Sequence, residues 1–229
     1  MKKAINNILL CLVLMLSTTS MANTSYPVIA VEYPPFTSHS PTAPGIAFDL
    51  LTHLTASQNM TWLPEILPPA RAYKRVSEQD WCASFYPIFG ENEHSEIQLT
   101  KNPIHIGLVR KRIPQPFTWQ SLTELSGKTV AVLRAGDKSD FVKRLTDANL
   151  QPVFTENIQQ AYKLVLKDRV DLAMIDNVTF SNLDAPLNNT LQMSQSFLLS
   201  TPVTLFVNHK CIPQEVIEAI KYSVEISIE

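Results

Sequence analysis

The sequence predicts an α/β protein of two lobes, and three observations lead to this prediction. Apolar strands alternate with amphipathic helices, which is the pattern of a largely parallel sheet with covering helices. The alternation runs through about residues 26–105 and starts again over about residues 112–195. Two cysteines, Cys82 and Cys211, lie in the first unit and in the tail after the second unit. A bond between them would return the tail to the first unit.

The first unit opens with a strand that has a sharp end. Residues 27–31 are apolar, and Pro34-Pro35 stop the strand because proline has no backbone donor and a fixed φ. A helix over 45–58 follows, with one apolar face at helical spacing. The remaining predictions are strands at 62–67, 81–86 and 104–109 and a helix at 71–78, with residues 90–102 polar and irregular.

The second unit repeats the alternation with clearer strands. Residues 129–133 are rich in β-branched side chains, which favour strands. Residues 170–175 are nearly all apolar, as expected of a strand that is covered on both faces. The remaining predictions are helices at 139–148, 158–167 and 213–226, a strand at 152–155 and an extended stretch within 191–206.

The N-terminus has the features of a secretory signal. Lys2 and Lys3 precede an unbroken apolar run over 8–16, and small residues stand at Ser20 and Ala22, the two positions that a signal peptidase reads. The run is too short to be a permanent membrane span. We therefore expect export with cleavage after residue 22; the alternative is a retained membrane anchor.

Composition limits the classes of function. Removal of residues 1–22 with their two lysines leaves 207 residues with 17 basic and 21 acidic side chains, a formal charge of −4. The absence of a basic stripe argues against nucleic acid as a partner. The five histidines lack the spacing of metal ligands. The sequence has neither a glycine-rich nucleotide loop nor a serine nucleophile elbow, so we expect no cofactor.

The cysteine pair bears on how the two units are joined. In an oxidising compartment, an even pair predicts one disulfide; the alternative is two buried free thiols. A bond between Cys82 and Cys211 would require two chain crossings, near 106–112 and 196–202, and two crossings form a hinge beside a cleft. The expected bounds are a signal peptide at 1–22, a first lobe at 23–107 and 200–229, and a second lobe at 108–199.

Five segments in a fixed order carry a family resemblance. They are Glu32-Tyr33-Pro34-Pro35-Phe36, residues 45–51, Arg71-Ala72-Tyr73 with Val76, residues 125–132 and residues 169–176. In this order and spacing the chain resembles bacterial periplasmic solute-binding proteins of the family 3 type, which serve polar amino acid uptake. It also resembles a subgroup whose two cysteines stand where Cys82 and Cys211 stand. The resemblance implies the type II periplasmic binding fold, also called a Venus flytrap.

The resemblance also implies a function. It is that of a monomeric periplasmic protein, not an enzyme, which captures a small polar solute between its lobes. The solute would be amino acid-like or another small organic acid, and the partner an inner-membrane permease of an ABC-type transporter. The alternatives are a dehydratase-like periplasmic enzyme on the same fold and a ligand-sensing module for a membrane receptor.

The first lobe offers five candidate ligand contacts. Tyr33 and Phe36 follow the carboxyl end of the first strand, where ligands bind in open α/β sheets, and Tyr86 could line the same aromatic wall. Arg71 begins a helix, and its guanidinium suits an anionic group. His94 stands where the resemblance implies an arginine for an α-carboxylate, and residues 90–96 contain no arginine. The alternatives are loop or core packing for the aromatic residues, a surface position for Arg71 and a solvated loop for His94.

The second lobe offers three more. Arg134 precedes the turn at 135–139 and Ser139 ends it, and free backbone N–H groups at the helix start would attract an anion there. The alternative for Ser139 is a helix cap. Asp176 ends the apolar strand at 170–175. The resemblance implies that this carboxylate receives a ligand ammonium group, and the alternative is a cap for the next helix.

Overall fold

The computed structural model describes residues 24–78, 80–88, 93–134 and 140–228. The predicted signal peptide at 1–22 and the candidate Ser139 lie outside the described residues. No helix in the part of the chain that the structure describes is long and apolar enough to cross a membrane.

Strands form two separate sheets. In chain order they are β1 (Thr24–Ala30), β2 (Met60–Ile66), β3 (Ala83–Ser84), β4 (His94–Gln98), β5 (Ile104–Lys111), β6 (Thr129–Leu133), β7 (Gln151–Thr155), β8 (Leu172–Asp176), β9 (Leu191–Met193), β10 (Leu199–Thr201) and β11 (Thr204–Asn208).

Helices cover both sheets. They are α1 (Ile46–Leu54), α2 (Pro69–Ser77), α3 (Asp140–Asp147), α4 (Ile158–Leu166), α5 (Asn177–Ser181), α6 (Ala185–Thr190) and α7 (Gln214–Ile228), with a 3-10 turn at Leu122–Leu125. The predicted helices thus lie where α1 to α4 and α7 are found, while α5 and α6 are too short to give a clear periodic pattern.

The first sheet has the order β2-β1-β3-β11-β4. β1 is parallel to β2 and β3, as the βαβ pattern requires, whereas β11 runs antiparallel to β3 and β4. α1 and α7 pack on one face, where Leu51, Leu205 and Ile217 are fully buried. The carboxyl ends of β1, β2 and β3 therefore lie at one edge of this sheet.

The second sheet has the order β10-β5-β8-β6-β7, and β9 also pairs with β5. β6 is parallel to β7 and β8, and β5 is antiparallel to β8, β9 and β10. The all-apolar strand β8 is central, with packed clusters on both faces, which agrees with its sequence. Asp176 ends β8 and Arg134 follows its parallel neighbour β6, so both lie at the same edge.

The chain passes between the sheets twice, at residues 99–103 and 202–203, which we call the crossing segments. They are hydrogen bonded to each other, since Leu99 N donates to Val203 O (2.7 Å) and Val203 N to Thr100 Oγ1 (3.0 Å). The bounds expected at 107/108 and 199/200 fall inside β5 and β10. Both strands belong wholly to the second sheet.

The disulfide prediction is confirmed. Cys82 and Cys211 are bonded, with 5.0 Å between their Cα atoms and 129 residues of separation. Asn208 helps to hold the two strands beside this bond, because its backbone N donates to Cys82 O (2.9 Å). The tail of the chain therefore packs with the first sheet through β11 and α7.

One strand was not expected from the sequence. Residues 94–98 form β4 at the edge of the first sheet, within a stretch predicted to be irregular. Only Ile97 of this strand is buried, so the apolar signal of a strand is missing. The extended stretch within 191–206 divides into β9, β10 and β11, which lie in two different sheets.

Candidate functional site

The loop after β1, residues 32–37, is closed on itself, and we call it the cleft loop. Tyr33 N donates to Thr37 O (2.9 Å), and Thr37 N donates back to Tyr33 O (3.1 Å). The Thr37 hydroxyl donates to Val31 O (2.6 Å), where both groups are buried. These bonds fix the backbone that carries Tyr33 and Phe36 at the edge of the first sheet.

Helix α1 holds the other side of the cleft loop. Its first free N–H groups, on Ile46 and Ala47, donate to the carbonyls of Pro35 and Phe36 (3.0 Å each). This close approach depends on Gly45, which has φ 110°. A Cβ on Gly45 would lie 2.8 Å from Thr37 N and closer still to the Phe36 carbonyl.

The Tyr33 ring lies between the lobes. It packs against the cluster of the first lobe that contains Tyr86 and also against the cluster of the second lobe that contains Ile175. Phe36 lies beside it, with 6.3 Å between the ring centroids and 41° between the planes. Leu133, from the end of β6, packs on the first-lobe cluster in turn. The strand ends of the two sheets therefore face each other at Tyr33.

Asp176 lies on the opposite side of this contact and is only 1% exposed. Its Oδ1 atom caps α5 by accepting hydrogen bonds from Val178 N (2.9 Å) and Thr179 N (2.8 Å). Its Oδ2 atom is buried and accepts no well-formed hydrogen bond from the described residues. The carboxylate is thus oriented by the helix start and keeps one oxygen for another donor.

Tyr33 and Asp176 are close enough to interact electrostatically. Burial is the main reason why the pKa of the Tyr33 phenol is raised well above 10.0, and the negative charge of Asp176 raises the pKa further. Polar contact with the Asp176 side chain raises this pKa as well, whereas contact with the Asp176 backbone and the Thr179 side chain lowers it. The Thr179 hydroxyl donates to Pro34 O (3.3 Å), which is a second contact between the lobes.

Two further candidates lie on the first-lobe side of the cleft. Tyr86 is 3% exposed and belongs to the cluster that receives the Tyr33 ring. Arg71 is exposed in the first turn of α2, just after β2 ends. Its guanidinium contacts no carboxylate among the described residues. Arg71 is therefore a cation on the rim that is available to a ligand.

His94 is not brought to this contact. It begins β4 opposite Asn208, at the end of the strand away from the edge where Tyr33 lies. Its side chain is 11% exposed, and its ring lies between Trp81 (6.5 Å) and Phe206 (5.7 Å), measured between centroids. The segment folds as an edge strand, so the solvated loop that was the alternative for His94 is not found.

Arg134 lies at the correct edge of the second sheet but is held by its own lobe. Its Nε donates to Glu156 Oε1 (2.8 Å), and its guanidinium lies 5.6 Å from the centroid of the Phe154 ring. Ser139 and the turn that was expected to bind an anion lie outside the described residues. Among the second-lobe candidates, the geometry thus brings Asp176 to Tyr33.

Sequence reasoning missed Thr179 and the Pro34 carbonyl, which meet across the cleft. Thr179 stands three residues after Asp176, the spacing of a helix cap and its N3 residue, and this spacing was the available signal. Glu32, in the cleft loop, accepts a hydrogen bond at its Oε2 atom from His39 N (2.7 Å). Within the described ranges no group of metal-ligating side chains occurs.

Comparison with known proteins identifies the fold. No family model and no curated protein sequence matches the chain. The GluR0 ligand-binding core in complex with L-glutamate matches with a TM-score of 0.71 at 17% identity, over 90% of this chain and 93% of that one. The arginine-bound Gly52Ala mutant of ArgBP from T. maritima matches with a TM-score of 0.69 at 16% identity, over 89% and 95%.

A third neighbour is the VFT2 domain of BvgS from Bordetella pertussis, with a TM-score of 0.67 at 14% identity, over 88% of this chain and 87% of that one. The two-sheet architecture and these matches confirm the predicted two-lobe fold of type II periplasmic binding proteins. The resemblance read from the sequence thus holds at the level of the fold.

Proposed function

We propose that this chain is a periplasmic solute-binding protein that closes its two lobes on a small polar ligand, amino acid-like or another small organic acid. The observation that carries this proposal is the meeting of the cleft loop with Asp176 between two sheets joined by two crossing segments. The predicted signal peptide supports export to the periplasm. An ABC-type permease in the inner membrane is the partner that we propose.

The site offers complementary groups for such a ligand. Asp176 Oδ2 can accept a hydrogen bond from a ligand ammonium group, and Arg71 can bind an anionic group at the rim. Tyr33 and Phe36 supply an aromatic wall. Micromolar affinity needs about 8 kcal/mol, which a few charge-assisted bonds of about 1.5–3 kcal/mol each and the wall can provide.

Closure would couple binding to a change of shape. The crossing segments are short and paired, so rotation of one lobe about them would open the space between Tyr33 and Asp176. A ligand that contacts both lobes stabilises the closed form because it interacts with that form more strongly. The neighbours named for bound arginine and L-glutamate support a small amino acid-like ligand here.

The proposal is tested by ligand binding to a rim variant. Arg71→Ala should lose most of the affinity for acidic solutes and amino acids in calorimetry, with an unchanged melting temperature, because the side chain is exposed. Arg144→Ala is the matched control, since Arg144 is also exposed but lies on α3 in a groove of the second lobe. Equal affinities of the two variants, or no solute bound by the unmodified protein, would contradict the proposal.

A ligand-sensing module for a membrane receptor is the second candidate. The specific support is that one neighbour is a ligand-binding core and another a VFT2 domain. Fold and cleft would be the same, and only the partner would differ. Cross-linking of the liganded protein in membranes, followed by mass spectrometry, would yield a permease for the first candidate and a receptor for the second.

A further inference from the structure

A side chain of the protein itself, Tyr33, lies where the two lobes meet. The Tyr33 ring packs on the clusters of both lobes, and its phenol lies next to a carboxylate whose Oδ2 atom has no well-formed hydrogen bond from the described residues. A buried carboxylate oxygen strongly favours any donor that can reach it. The Tyr33 phenol reaches Asp176 from the first lobe, and beside it Thr179 Oγ1 donates a hydrogen bond to the carbonyl of the neighbouring Pro34 (3.3 Å).

We infer that Tyr33 is an internal competitor for the ligand: its phenol occupies the place beside Asp176 that a ligand's cationic donor takes on binding. This inference rests on the proposed function and adds to it a condition that a ligand must meet in order to bind. A ligand must displace the phenol before it can use the carboxylate. Tyr33 is then a residue that determines specificity, in addition to being part of the wall.

The backbone around Tyr33 makes such an exchange a local event. The cleft loop is held by Thr37 and by the start of α1, and Thr179 donates to Pro34 O across the cleft. The backbone contacts of the loop do not use the phenol oxygen, whose polar neighbours are the side chain and backbone of Asp176 and the Thr179 side chain. Rotation about the Tyr33 side-chain bonds would therefore exchange only these polar contacts while the loop remains in place.

The chemistry of the exchange selects the ligand class. A neutral phenol is a weaker donor to a buried carboxylate than an ammonium group, because the ammonium bond is charge-assisted. A solute with carboxylates alone would bring like charge towards Asp176 and gain nothing by displacing Tyr33. This condition predicts that ligands with an amine cation, with or without a carboxylate, bind more tightly than purely acidic solutes, which leave the phenol beside Asp176.

The test reads Tyr33 directly with minimal probes. The mature chain is labelled with ¹³C-tyrosine, and the Tyr33 signal is assigned by its absence in Tyr33→Phe. Methylammonium chloride and sodium acetate are then titrated at matched ionic strength. Methylammonium should shift the Tyr33 signal in a saturable way towards that of an exposed tyrosine, and acetate should not. A response to acetate, or none to methylammonium, would overturn the inference.

Two variants sharpen the result without disturbing the fold. Asp176→Asn keeps an oxygen that can cap α5, and it should abolish the methylammonium response. Tyr33→Phe removes only the competing hydroxyl, so the Thr179 amide should report methylammonium affinity that is about three- to tenfold higher. Weaker or unchanged affinity in Tyr33→Phe would show that the hydroxyl is a ligand contact and not a competitor.

Failure of the competitor and failure of the proposed function remain distinguishable. If no amino acid or organic acid binds the protein in calorimetry, the proposed function fails, whatever the Tyr33 signal does. If such a solute binds but the phenol stays beside Asp176 in the complex, only the competitor role is overturned.

Discussion

At the scale of single residues, two side chains define the site by their effect on each other. Asp176 is buried and oriented by α5, and the partly buried Tyr33 packs beside it from the other lobe. Burial and the adjacent charge both oppose ionisation of the phenol, so the pKa of Tyr33 is raised well above 10.0. The contact between the lobes should therefore be sensitive to alkaline pH.

The raised pKa gives a stability prediction with a definite sign. Below about pH 10, the Tyr33 phenol is protonated in the folded and unfolded states, and its contribution to stability is complete. As the pH rises above 10 towards the folded pKa, the unfolded state loses its proton first, so stability falls. Urea unfolding should show the wild type losing stability relative to Tyr33→Phe only above about pH 10. A constant difference up to pH 11.5 would contradict this account.

The composition of the site was only partly visible in the sequence. The apolar run at 27–31, followed by Tyr33 and Pro34, predicted an aromatic residue at the end of a strand. Asp176 was predicted at the end of the apolar strand at 170–175. Their approach to each other could not be predicted, because it depends on how two sheets face across a hinge. His94 was misplaced because polar residues at the edge of a sheet give no apolar signal.

At the scale of elements, one glycine connects the site to its support. Gly45 has φ 110° and ψ 167°, a conformation essentially restricted to glycine, and it lets α1 donate to the cleft loop. Gly127 also has a positive φ (80°), but a Cβ there would meet nothing within 4 Å among the described atoms. Alanine at Gly127 would therefore add backbone strain alone, whereas alanine at Gly45 would add strain together with a steric clash.

We therefore expect unequal costs of alanine substitution. Gly127→Ala should lower the free energy of unfolding by about 1 kcal/mol, from backbone strain alone. Gly45→Ala should cost at least about 3 kcal/mol, because the methyl group also pushes the cleft loop away from α1. It should also shift the NMR signal of Tyr33. Similar costs for the two variants in urea unfolding would show that the cleft loop can move away from α1 with little loss of free energy.

Near the hinge, the sequence predicts the strands but not the lobe to which each strand belongs. The apolar run at 104–109 predicted β5, and the structure confirms a strand at Ile104–Lys111. The lobe to which it belongs depends on its pairing with β8, and a local pattern contains no information about pairing partners. The same holds for β10 and β11, which are close in sequence and lie in different sheets.

At the scale of the whole molecule, the disulfide fixes the return of the tail. Cys82 precedes β3, and Cys211 lies between β11 and α7, so the bond joins the N-terminal part of the first lobe to its C-terminal tail. The second lobe is inserted between them. A long closed loop of this kind restricts the unfolded chain strongly.

Removal of the disulfide should destabilise the protein without changing the fold. By chain entropy, the variant with Cys82→Ala and Cys211→Ala should lose up to about 4–5 kcal/mol in the free energy of unfolding. Reduction of the wild type with dithiothreitol should give the same value in urea unfolding. The variant itself should not respond to the reductant. A loss below about 1 kcal/mol would mean that β11 and α7 hold the tail in place without the bond.

The central claim is that the two lobes close on a small solute that uses Asp176. Native mass spectrometry of the purified mature protein, beside Asp176→Asn prepared in parallel, tests it most directly. The account predicts a small polar adduct on the wild type that is absent from the variant, with both proteins folded. Equal adducts on the two proteins, or a wild type that remains free of adduct after incubation with pooled amino acids and organic acids, would contradict the claim.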